Sequence, residues 1–180
     1  MKNKIFMLLL LGAMLLTACD DEAPMERSLY PETVYLVGAK DKIITRELNL
    51  GYDQDTVYAS VAVSGTLPTE KNVIAEVEQI PEAILRYNDR ELDKNDVLYQ
   101  NLPADIYSIP DPAVTVPAGE PYGTLPIYIE PATLHVDSLY MIALKLKSTS
   151  DFALTKTDTV VLMKFNIVND YSGLYYMDAI

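Results

Sequence analysis

The chain has 180 residues, 49% of them apolar, with 14 lysines and arginines against 26 aspartates and glutamates, a formal charge of −12. That excess of negative charge repels nucleic acid and anionic headgroups, so DNA, RNA and a polybasic membrane patch are excluded as partner classes. A single cysteine rules out an internal disulfide, so stability must come from a packed core of ordinary domain size.

At the amino end, Met1-Lys2-Asn3-Lys4 precedes an apolar run from Ile5 to Ala18. Two lysines, a short apolar stretch and small residues before a cleavage point make the pattern of an export signal. The run is shorter than the roughly 20 residues that a bilayer-spanning helix needs. Leu16-Thr17-Ala18-Cys19 resembles the lipobox of bacterial lipoproteins. The resemblance implies that residues 1–18 are a signal peptide and that the Cys19 thiolate takes up a diacylglyceryl group. Several buried acyl chains, at about 0.8 kcal/mol per methylene, anchor durably where one chain is marginal. Asp20, Asp21 and Glu22 are similar to the acidic surface-export signals of Bacteroidota-type lipoproteins. Residues 19–32, polar and carrying Pro24 and Pro31, read as a tether. The expected location is the outer membrane, facing the cell exterior through acyl chains on Cys19.

Beyond the tether, period-2 alternation dominates. In Asp55 to Ser64, Val57, Ala59, Val61 and Val63 oppose Tyr58, Ser60 and Ser64. Val73 to Ile80, Leu139 to Lys147 and Thr159 to Ile167 alternate in the same way, and shorter strands are expected at Thr33–Val37, Ile43–Leu50, Ala113–Val116 and Leu125–Ile129. One buried and one wet face is the mark of antiparallel sheets. Eight such strands predict an all-β, immunoglobulin-like antiparallel two-sheet sandwich over residues 33–168.

One short helix is expected near residues 81–88, with Pro81 at its first position, Glu82 near the positive dipole end and Asp89 to Asp96 left as a charged loop. Pro117-Ala118-Gly119 and Glu120-Pro121-Tyr122-Gly123 read as consecutive bends. Prolines are dense from Pro103 to Pro131, which assigns that segment to edges and connections, since proline lacks a ladder donor.

Catalytic chemistry finds no foothold in the pattern. The only histidine, His135, falls in a loop between strands, no Gly-x-Ser-x-Gly elbow exists, and zinc ligands do not cluster. No carboxylate pair stands out for glycoside hydrolysis. The acids from Asp89 to Asp96 lack EF-hand spacing. No metal and no cofactor are expected. The 13 tyrosines are more suggestive, because sugars stack their apolar faces on exposed rings. Tyr58 and Tyr140 read as strand fillers, whereas Tyr107, Tyr122 and Tyr128 are the candidates for glycan contact.

Ala113-Val114-Thr115-Val116-Pro117-Ala118-Gly119, Leu125-Pro126-Ile127-Tyr128-Ile129 and Tyr140-Met141-Ile142-Ala143-Leu144 resemble a Bacteroidota lipoprotein domain catalogued as domain of unknown function seventeen thirty-five. Ile106-Tyr107 also looks like that family's aspartate–tyrosine strand, while Ala143 stands where proline is common. The resemblance covers about residues 30–170. It implies a non-catalytic sandwich at the amino end of surface lipoproteins from polysaccharide-utilisation systems, spacing or docking a glycan-binding module. Glycans and neighbouring outer-membrane uptake proteins are the implied partners. Two alternatives are the accessory domain of a surface glycoside hydrolase and an adhesive or fimbria-like subunit. Residues 169–180 resemble a linker entering the family's second domain, so a longer natural chain is expected.

Overall fold

The computed structural model describes residues 29–39 and 43–172. The signal peptide, Cys19, the triplet Asp20, Asp21 and Glu22, and the end of the expected linker from residue 173 lie outside the described residues.

Alternation of apolar and polar residues builds two sheets that bury their apolar faces against each other. In chain order the elements are β1 (Thr33–Leu36), β2 (Ile43–Asn49), β3 (Asp55–Val63), β4 (Val73–Gln79), α1 (Glu82–Glu91), β5 (Tyr99–Asn101), β6 (Tyr107–Ser108), β7 (Ala113–Val116), β8 (Tyr122–Ile129), β9 (Leu139–Thr149), β10 (Ala153–Leu154) and β11 (Val160–Val168). A 3₁₀ turn, Pro131–Thr133, separates β8 from β9. One sheet runs β10-β1-β3-β8-β6; the other runs β2-β11-β9-β4-β7, with β5 also pairing β9. The all-β sandwich predicted from alternation is present.

The core between the sheets takes Val57, Ala59 and Val61 from β3, Leu125, Ile127 and Ile129 from β8, and Ile142, Leu144 and Leu146 from β9. Full burial of each large side chain contributes about 1.5–3 kcal/mol. Pairing is not wholly antiparallel as expected: β1–β10, β2–β11 and β5–β9 are parallel. Alternation reports which face of a strand is buried and carries no information on the direction of its neighbour.

Two local expectations are corrected. The helix is longer than residues 81–88, with Pro81 at its N-cap, and it absorbs Asp89, Arg90 and Glu91 from the expected charged loop. It does not stop at Asn88, because Asn88 is buried and used as a clamp. Its Nδ2 donates to the Tyr99 carbonyl (2.7 Å) and its Oδ1 accepts from the Tyr99 amide (3.1 Å). The side-chain amide thereby stands in for a strand partner and ties α1 to β5. On the other flank, Ala83 and Ile84 cover Met141, Ala143 and Leu162 on the outer face of the six-stranded sheet. This second cluster explains why Tyr140 to Leu144 are buried without interruption.

The bend at Pro117-Ala118-Gly119 forms as expected, with the Glu120 amide donating to the Pro117 carbonyl (3.0 Å) and Gly119 at φ +83°. The second bend is confined to Pro121. Tyr122 and Gly123 are the first residues of β8, paired with Ala62 and Val61. Gly123 lies inside a strand because a Cβ there would stand 2.2 Å from the Thr115 carbonyl oxygen on β7. Pro126 also lies within β8. The strand β6 reaches only Tyr128 and Ile129, so the outer flank of β8 is an edge at Pro126, where a missing donor is tolerated.

Candidate functional site

The structure separates the three tyrosines singled out for glycan contact. Tyr107 pairs with the core residue Ile129, packs against the core, and donates its phenol to the side-chain carbonyl of Gln79 on β4. It closes the gap between the sheets and is not an exposed ring. Tyr122 and Tyr128 instead share the outer face of the five-stranded sheet, because they alternate with the inward residues Gly123, Leu125, Ile127 and Ile129.

Strand register sets what lies beside them. Tyr35, Ala62 and Tyr122 form one row across β1, β3 and β8. Ser60 and Thr124 form the next, Tyr58 and Pro126 the third, and Thr56, Tyr128 and Ser108 the last. Tyr58, read from sequence as a filler, is 49% exposed, and Tyr122 is 53% exposed. Tyr35 and Tyr58 were legible in principle: both stand at wet positions of alternating strands, and only their alignment with β8 was missing.

Across these rows no residue carries a charge. Charged groups stop at the border, where Arg46 Nη2 donates to the Tyr58 carbonyl (3.4 Å). Among the described residues, the phenols of Tyr35, Tyr58, Tyr122 and Tyr128 have no hydrogen-bond partner. Two other phenols are engaged, that of Tyr107 with Gln79 and that of Tyr140 accepting from the His135 amide (3.2 Å), while those of Tyr52, Tyr87 and Tyr99 are not. The opposite outer face differs in kind. There Lys145 pairs with Glu78 (3.2 Å), Lys147 with Glu76 (3.6 Å), and α1 covers Met141, Ala143 and Leu162.

Groups with reactive potential are dispersed. The exposed His135 ring accepts a hydrogen bond at Nδ1 from the Asp137 amide (3.3 Å), with the Asp137 carboxylate 3.9 Å away. Among the described residues no three His, Cys, Asp or Glu side chains are placed to hold a metal ion. Asp96 accepts from the Asp93 amide in a local turn (2.8 Å). Asp53, Asp105 and Glu130 rim an open depression, all exposed. One carboxyl is displaced from its ordinary value: the Lys71 ammonium hydrogen-bonded to Asp151 holds it low.

A family model described as a "-like, N-terminal domain" matches residues 30–153. The chain belongs to that family of amino-terminal domains. The Bacteroidota resemblance read from the motifs at Ala113–Gly119 and Leu125–Ile129 agrees with the solved structures that share the fold. One is a multidomain protein including DUF1735 from Bacteroides ovatus, 19% identical at TM-score 0.59, matched over 74% of this chain and 43% of that one. An auxiliary nutrient binding protein from Bacteroides thetaiotaomicron is 14% identical at TM-score 0.58, over 75% of this chain and 47% of that one. EndoBT-3987 of the same organism, solved with Man5GlcNAc product, is 17% identical at TM-score 0.53, over 74% and 30%. This chain thus spans less than half the length of each. No curated protein matches it in sequence.

Proposed function

We propose that the chain is the non-catalytic, lipid-anchored amino-terminal sandwich of a Bacteroidota surface lipoprotein that handles glycans, and that it spaces or docks a further module. The observation that carries this reading is the position of the family match. An amino-terminal domain spanning residues 30–153 follows closely on a lipobox cysteine at position 19. The same fold forms under half of a nutrient binding protein from the same genus as the other relatives. Dispersed, solvated reactive groups in the described part agree with a supporting role.

A second reading, the accessory domain of a surface glycoside hydrolase, is favoured by the fold shared with EndoBT-3987. The sandwich does the same work in either case, and the module that follows it in the natural gene separates the two.

Fractionation tests the anchor. Wild-type chain is expected in the outer-membrane fraction and accessible to protease added to intact cells, while Cys19→Ala is released to the soluble fraction. Retention of the variant in the membrane would overturn the anchor, and protease resistance on intact cells would overturn surface display.

A further inference from the structure

We propose that the outer face of the β10-β1-β3-β8-β6 sheet is itself a binding surface for an uncharged polysaccharide, with Tyr35, Tyr58, Tyr122 and Tyr128 as its contacts. The inference rests on the glycan-associated reading above and names the ligand class and the residues.

Three observations converge on it. The chain carries a formal −12, yet no charged residue stands in the four rows of this face. A face without charge offers nothing to a uronate, sulfate or cationic peptide, and it suits a neutral chain. Rings and hydroxyls interleave, with Ser60 and Thr124 between the row of Tyr35 and Tyr122 and the row of Tyr58. A sugar presents the same mixture, C–H faces that meet the negative face of an aromatic ring and hydroxyls that exchange hydrogen bonds. The four phenols have no partner among the described residues, so each is free to donate and accept.

Tyr35 and Tyr122 are two strands apart, about 10 Å between their backbones at ordinary strand spacing. Rings so separated touch successive units of an extended chain better than one monosaccharide. Polymer is therefore expected to bind more tightly than monomer.

The test is affinity electrophoresis of the full chain in detergent through gels containing a soluble glucan, mannan, xylan or, as the acidic comparison, polygalacturonate. Retardation by at least one neutral polysaccharide is expected, with none by polygalacturonate. The Tyr58→Ala/Tyr122→Ala double variant is expected to bind about tenfold more weakly or worse. Tyr52→Ala, exposed but off this face, is expected to bind as wild type. An unchanged circular dichroism spectrum shows that the double variant is folded; if it is not, the single variants Tyr58→Ala and Tyr122→Ala carry the comparison. Absence of retardation by every neutral polysaccharide overturns the proposal, as does equal retardation of wild type and the folded variants. Self-association that the tyrosine variants abolish would assign the face to a second copy and also overturn it. If wild type reaches the cell surface but binds no polysaccharide, the spacer reading stands and this one falls.

Discussion

Thr69 is 5% exposed, and its hydroxyl has no partner among the described residues, although its carbonyl accepts from the Gly119 amide (2.8 Å). A buried hydroxyl without a partner costs stability that an apolar group of the same shape does not. Thr69→Val is expected to stabilise the fold by about 1 kcal/mol, read as a higher urea midpoint at unchanged slope. A lower midpoint would show that the hydroxyl is satisfied. Asp151 gives the second residue-level expectation. Hydrogen bonding to Lys71 is the largest influence on its carboxyl, Ser150 adds to it, and together they hold the group below 3.8. A carboxyl lowered in the folded state contributes stability that is present above its unfolded value and lost as pH falls through the folded one. In Lys71→Ala the Asp151 carboxyl is expected to titrate closer to 3.8 by NMR. The stability difference from wild type is expected to be present at neutral pH and to fade on acidification. An unmoved titration would remove Lys71 as the cause.

At the scale of elements, β7 shows how far alternation reaches: Ala113–Val116 was delimited from sequence and is found with the same bounds. By contrast β5, β6 and β10 are two or three residues long. A period of two cannot be recognised in so short a stretch; those strands exist because neighbours recruit them. The helix was legible in its start and not in its length, since the Asn88 clamp on Tyr99 depends on a strand that sequence did not reveal. Gly123 was taken for a turn glycine because glycine weakens strands. Its true role is the close approach of β7 and β8, two strands from different sheets. Gly123→Ala is expected to destabilise by about 1–3 kcal/mol, because backbone at Thr115 must retreat from the new methyl. The measurement is a thermal midpoint several degrees lower. No change would mean that the two sheets separate freely at that edge.

Over the whole molecule, the two outer faces divide the work. One carries paired lysines and glutamates and the amphipathic helix. The other carries tyrosines and hydroxyls and is left open. Its flanking strands, β10 and β6, are only two residues long. An open, uncharged face of this kind can meet an extended polymer, and the polysaccharide gels judge that arrangement directly.

The order of apolar and polar residues by itself determined that this chain forms strands, which side of each strand is buried, and that two such layers close into a sandwich, because the face of a strand is a local property of period two. The resemblance of Leu16-Thr17-Ala18-Cys19 to a lipobox is an equally local pattern. Tertiary structure alone decided which strands adjoin, and therefore that Tyr107 is drawn inward as a latch to Gln79 while Tyr35, Tyr58, Tyr122 and Tyr128 come to lie together. Strand order gathers residues from Tyr35 to Tyr128 onto one face, and no local pattern encodes a neighbourhood at that separation.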